Sequence, residues 1–226
     1  MDEAFVERVA NCRRCPRLVD YLRTLPAKGG RTRQDYWNRP VPGFGDPQAR
    51  VFLVGLAPGA HGANRTGRPF TGDGAGDFMY PLLYRAGFAS CPEVSHAGDG
   101  LYLTDLYISN AVKCAPPENK PLPAEFAQCR PFLAAELGAL PRLKVVLALG
   151  QGAFTSCLRL FKEEGLVARL ADYPFGHGAA YPLTNGLTLV ASYHSSRYNV
   201  QTGRINAAMF LDLLTRVREI AARENG

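Results

Sequence analysis

Residues 50–56, RVFLVGL, decide the fold class. A short apolar run rich in strand-forming residues and bounded by turn residues is the pattern of a strand buried on both faces. A half-exposed strand would alternate apolar and polar positions instead. Three more segments read the same way: Leu101–Val112 (LYLTDLYISNAV), Leu143–Leu149 (LKVVLAL) and Leu187–Ser192 (LTLVAS). Helical patterns lie between them at Gly76–Ala86, Pro123–Leu137 and Gln151–Phe161, and Asn206–Arg223 closes the chain with another. Strands alternating with helices predict an α/β fold with a parallel sheet covered on both faces. Ligands of such sheets bind beyond the carboxyl ends of the strands, so functional residues are expected just after them. Upstream, Phe5, Val9, Leu18 and Leu22 recur at helical spacing, interrupted at Pro16, and Ala27–Asp46 reads as a loop.

With 226 residues, one domain spanning 1–226 is expected, large enough for a substantial core. No apolar run reaches membrane-spanning length. The formal charge of +6, mostly from arginine, suits a phosphate-bearing partner such as nucleic acid. No internal repeat, low-complexity tract or interdomain linker is evident.

Four cysteines carry the strongest chemical signal. Cys12 and Cys15 form a Cys-x-x-Cys pair followed by Pro16, Cys114 follows a predicted strand, and Cys129 lies beyond a fourteen-residue loop. One turn brings the paired sulfurs to the same side, so both can reach one centre. The two distant cysteines would complete a shell that staples the N-terminus to the middle of the chain. Tetrahedral zinc accepts four thiolates, and so does an iron–sulfur cluster. The start MDEAFVERV is charged and amphipathic rather than a secretory leader, so a cytoplasmic chain is expected and disulfides are not. A redox Cys-x-x-Cys would follow a thioredoxin-like strand, whereas this pair precedes the first one. Cys91 and Cys157 read as incidental or packing thiols.

The segments after three strands are conspicuous. Residues 55–78, GLAPGAHGANRTGRPFTGDGAGDF, hold seven glycines, which allow close backbone approach to a ligand. No Gly-Lys-Ser/Thr follows, so this is not a P-loop. Phe70 is either a core anchor or a platform for stacking on a base. In ISNAVKC (108–114), Asn110 stands where the strand should end; its amide suits a pyrimidine edge, although a terminal Asn is also a common cap. In SYHSSRYNVQTGR (192–204), His194 can stabilise developing negative charge or transfer a proton. Arg197, Tyr198 and Asn199 form a tip suited to pressing into a duplex.

Taken together these stretches resemble the uracil-DNA glycosylase superfamily in its iron–sulfur branches. CRRCPRLV, GLAPG with GRPFTG, YISNAVKCAPP, Cys129 and YHSSR occur in the same order, over most of the chain. The chain is most similar to family 5, also called type b. Family 4 reads Gly-Glu-Ala-Pro-Gly where this chain has Leu56, and Ala57 stands where other branches carry an acidic or amide residue that positions water. GAHGANRTGRPFTGD is also longer than its family 4 counterpart. The resemblance implies a three-layer α/β/α sandwich around a four-stranded parallel sheet. It implies a [4Fe–4S] cluster on Cys12, Cys15, Cys114 and Cys129, bound in part by an N-terminal helical segment. It also implies a DNA repair enzyme, a monofunctional glycosylase that flips uracil out of duplex or single-stranded DNA and hydrolyses the N-glycosidic bond.

On that reading Phe70 stacks on the base, Asn110 binds its edge, and backbone amides from Leu56 through Ala57 to Gly59 meet its carbonyl oxygens. His194 hydrogen-bonds the carbonyl on which charge builds. Ser195, Arg197, Tyr198 and Asn199 contact DNA and fill the gap in the stack; Ser195 departs from the usual His-Pro-Ser. With Ala57 unable to activate water, Asp73 is the candidate base and Asp77 the fallback, Asp73 being equally suited to cap the following helix. The small residue at the water position implies a pocket that also takes hypoxanthine. A monomer working in the cytoplasm at the nucleoid is expected. Two rivals remain: a non-catalytic nucleic-acid binder with a structural zinc, which has no need of Phe70, Asn110 and His194, and a nucleotide hydrolase, which lacks its metal-binding carboxylates or P-loop lysine.

Overall fold

The computed structural model describes residues 1–223. Its centre is a six-stranded sheet in the order β1-β3-β2-β4-β6-β5. β2 (Val51–Gly55), β3 (Leu106–Asn110), β4 (Val145–Leu149) and β6 (Thr188–Ser192) run parallel. β1 (Phe44–Gly45) and β5 (Ala180–Pro182) pair antiparallel at the two edges.

Every residue of β2, β3 and β4 is buried, because alternate side chains meet two different helical layers. Val51 and Leu53 face a core built from α4 (Gly74–Arg85) and α8 (Ala207–Ala222), with Met79, Leu83, Phe210 and Val217. Phe52 and Val54 face the other core, where α5 (Pro123–Gly138) and α6 (Gln151–Glu163) contribute Leu133, Phe154 and Phe161. Full burial of each such side chain contributes about 1.5–3 kcal/mol. The uninterrupted apolar run in 50–56 is thus two interleaved faces, both covered, which makes the three-layer α/β/α sandwich.

Helices α1 (Glu3–Ala10) and α2 (Pro16–Thr24) form a third apolar group. Phe5, Val9, Leu18 and Leu22 pack on Val112, Ala115 and Phe132, so this segment is seated on the chain that leaves β3. The break between the two helices holds Cys12 and Cys15, and Pro16 starts α2 at a position that needs no N–H donor.

Several details differ from expectation. The sheet has six strands rather than four because the edge strands are two and three residues long, too short to carry a period. Gly45, at φ +141°, runs so close to β3 that a Cβ would lie 2.3 Å from the Leu106 carbonyl oxygen. The 101–112 strand shrinks to Leu106–Asn110 because Asp105 turns to φ +59°. Its carboxylate pairs with Arg50, taking the Arg50 backbone N–H at 2.9 Å. Two short helices lie inside presumed loops, α3 (Ala63–Thr66) and α7 (Arg197–Gln201). No helix among the described residues is long and apolar enough to cross a membrane.

Candidate functional site

A cavity of about 390 Å³ opens at the carboxyl ends of β2, β3 and β6. Leu56, Ala57, Gly59, Phe70, Asp73, Asn110, His194 and Arg197 line it, so three separate post-strand segments meet there.

Phe70 is both core anchor and cavity wall: it is buried in the α4/α8 core and lines the cavity, with its backbone at φ +55°. That conformation is costly for a bulky residue and needs outside support. Tyr80 Oη donates to the Pro69 carbonyl at 2.9 Å. The buried Arg68 and the partly buried Asp99 form a bidentate pair, and the Arg68 guanidinium holds the Asp99 carboxyl well below the usual carboxylate range. The Phe70 carbonyl lies so near Gly76 that no Cβ would fit there. The Phe70 and His194 ring centroids stand 6.2 Å apart at 34°.

Asn110 ends β3 and is buried. None of the side-chain hydrogen bonds among the described residues uses its amide, which is left to face the cavity. Gly55, its partner across the ladder, makes room: a Cβ there would lie 2.3 Å from Asn110 Oδ1 and 2.5 Å from Phe70 Cζ.

Asp73 uses its two oxygens differently. Oδ1 accepts from the Ala75 and Gly76 N–H groups at 3.0 and 3.3 Å and caps α4. Oδ2 sits in a notch against Gly59 and Gly62, where a Cβ would approach to 2.7 and 2.2 Å. Desolvation pushes this carboxyl above the usual carboxylate range, against the lowering effect of its two backbone bonds. Asp77 is exposed in the first turn of α4 and does not line the cavity.

His194 follows β6, and its carbonyl accepts from Asn199 Nδ2 at 2.9 Å. Desolvation pushes its imidazole down, so it is neutral near pH 7. Ser196 caps α7, Arg197 reaches back towards Gly74 and the cavity, and Tyr198 is 72% exposed. Ser195 does not join this surface. It is fully buried with its hydroxyl unpartnered, because the chain turns inward between β6 and α7. The sequence reading also missed Asn119, which lines the cavity from the far side at φ +57°. Its context, APPENKPLP, reads only as a proline-rich loop.

Cys12, Cys15, Cys114 and Cys129 line one small space together with Lys113 and Phe132. The Cys129 thiol is pushed up to about 11, chiefly by desolvation. Burial and the other three thiolates push Cys114 well above the usual thiol range. Four thiolates gathered this way repel one another unless a cationic centre sits among them. Among the described residues no group of three His, Cys, Asp or Glu is placed to hold a metal ion. Cys157 is buried in the α5/α6 core and Cys91 lies on the 90–100 loop, both apart from the four.

The sequence pattern of the uracil DNA glycosylase superfamily matches residues 42–218, which contain every cavity residue named above. The chain belongs to the uracil-DNA glycosylase superfamily. It is 52% identical to the type-5 uracil-DNA glycosylase of Thermus thermophilus over 97% of this chain and 98% of that protein. The type-5 uracil-DNA glycosylase of Mycobacterium leprae is 42% identical over 95% of this chain and 93% of its own length. The type-4 uracil-DNA glycosylase of Archaeoglobus fulgidus is 35% identical over 55% of each chain. In this superfamily member the full-length similarity also takes in the Cys12–Cys15 segment, which lies outside the matched pattern.

Proposed function

We propose that this chain is a monofunctional DNA repair glycosylase that removes uracil from DNA. What supports this reading above all is the meeting of an aromatic wall, an unpaired amide, a neutral imidazole and a desolvated carboxylate in one cavity of a superfamily member. A base inside a duplex is out of reach of such a cavity, so the nucleotide must swing out. Phe70 stacks on the base, the Asn110 amide reads its donor–acceptor edge, and the Leu56–Gly59 backbone meets its carbonyl oxygens. As the N-glycosidic bond breaks, the bonding pair leaves with the base. His194, neutral, donates to the carbonyl oxygen where that charge collects. Asp73 Oδ2 accepts a proton from the water that adds to the sugar carbon, and Asn119 orients that water. A cavity this roomy, with no side chain on Gly59, also takes hypoxanthine.

Outside the cavity, Arg197, Tyr198 and Asn199 engage the DNA and fill the space left in the stack. Both duplex and single-stranded DNA are substrates. The four cysteines would hold a [4Fe–4S] cluster, which takes four thiolate ligands, and their meeting around one small space supports this. When bound, the cluster supplies a cross-link rather than a reacting group. Residues 1–226 act as one domain and one copy, in the cytoplasm with the chromosome.

The test is base release from end-labelled duplexes carrying one uracil opposite G or A, followed by alkaline cleavage of the abasic site. Asn110→Ala and His194→Ala are each expected to slow release by about 10²–10³-fold. Full activity in both would sink the reading. Gly55→Ala, by pushing the Phe70 ring and Asn110 amide aside, is expected to cost about 10²-fold in the same assay and about 1–3 kcal/mol of stability through overpacking.

A further inference from the structure

We propose that Lys113 and Glu136 are a positioning pair for Asn110, an inference that rests on the base-binding role given to Asn110 above. The two side chains form an ion pair at 2.5 Å and are 1% and 0% exposed. Each ammonium proton has an acceptor: Glu136 Oε2 at 2.5 Å, Ser109 Oγ at 2.6 Å and the Asn110 backbone carbonyl at 2.8 Å. The other Glu136 oxygen accepts from Ser109 Oγ at 3.0 Å and from the Gly43 N–H at 3.2 Å. The network is closed, and it centres on the two residues that end β3.

The Asn110–Ala111 peptide plane is consequently held from both sides. Its N–H donates to the Gly55 carbonyl at 2.8 Å, and its C=O accepts from Lys113. The Asn110 side-chain amide has no bond of its own, so its aim into the cavity is set by this backbone and by the bare face of Gly55. Stability alone does not require such a pair, since apolar residues of similar volume often replace a buried ion pair without loss. Fixing a peptide whose side chain must meet a substrate edge does require it, because small misplacements of a binding group are expensive in rate.

The experiment is a cycle on the full-length, iron-loaded protein, comparing Lys113→Met/Glu136→Met, Asn110→Ala and their combination in single-turnover release of uracil. The Met pair leaves the Gly43 N–H, the Ser109 hydroxyl and the Asn110 carbonyl without these partners, so it is expected to melt below the parent but stay folded at the assay temperature, and to release uracil at least about tenfold more slowly. In the Asn110→Ala background it should add no more than about twofold, since both changes act through one amide. Ser109→Ala, which removes one arm of the network, serves the same cycle if the Met pair does not fold. A parent-like rate in a folded variant, or losses that multiply fully with Asn110→Ala, would overturn the inference. An unimpaired Asn110→Ala protein would instead overturn the role of Asn110, and this inference with it.

Discussion

Asp73→Asn lowers single-turnover uracil release by about 10²–10⁴-fold, the range expected for removing a general base, and leaves DNA affinity and folding intact. Asparagine keeps an oxygen for the Ala75 and Gly76 N–H groups, and it caps helices as well as aspartate does. The substitution therefore spares the structural role of Oδ1 and removes only the proton-accepting capacity of Oδ2. Its effect on stability has a definite sign. Burial raises the folded-state pKa of Asp73 above its unfolded value, so the native state binds this proton more tightly. The resulting stabilisation is complete at low pH and is lost as pH rises through the raised value. At neutral pH the buried charge is a burden, and the Asn protein should melt at or slightly above the parent temperature. In the parent, activity should fall on the acid side through the same raised pKa, and Asp73→Asn should abolish that limb. Release unchanged in Asp73→Asn would leave Asp73 as a helix cap only.

Cys114→Ser yields a protein without the visible absorbance of an iron–sulfur cluster, and with a lower melting temperature. The proposed cluster would join Cys12 and Cys15 to a residue about 100 positions away; a cross-link closing a loop of that length restrains the unfolded chain by roughly 4–5 kcal/mol. At this chain size about 1 kcal/mol moves Tm by roughly 2–4 °C, so a fall of about 10 °C or more is expected. Much of that loss should be local, in the group where Phe5, Val9, Leu18 and Leu22 pack on Val112 and Phe132. Because Cys114 follows Lys113 in the chain that leaves Asn110, uracil release should decline as well. Cys157→Ser and Cys91→Ser, which lie apart from the four, should keep the colour. Iron and sulfide assays beside the melting curve check both halves. Zinc in place of iron in the parent protein would remove the cluster from the account.

Much of the architecture was legible in the residues. Buried parallel strands have a strong signature, a continuous apolar run between turn residues, and β2, β4 and β6 fell close to their expected bounds. The edge strands did not, since a pair such as Phe44–Gly45 has no period and exists only because β3 offers it a ladder. Phe70 could not be resolved between core and cavity from sequence, and it serves both. Ser195 was misplaced on the DNA-facing tip because a loop sequence does not record which way each side chain turns. Asn119 carried no signal at all: a polar residue in a proline-rich loop is ordinary until the loop folds over a cavity.

What the amino-acid order determined by itself was the alternation of elements, the glycines that let backbone and ring meet, and the kinds of chemical group after each strand. These are local properties, set by periodicity, backbone freedom and side-chain chemistry. Only the tertiary structure decided which of those groups share a cavity and how each is tuned. Desolvation of Asp73 and His194, and the Lys113–Glu136 pair under Asn110 across 23 residues of chain, arise from contacts between distant segments. Sequence spacing cannot show them, because burial and charge environment exist only once the helical layers have closed over the sheet.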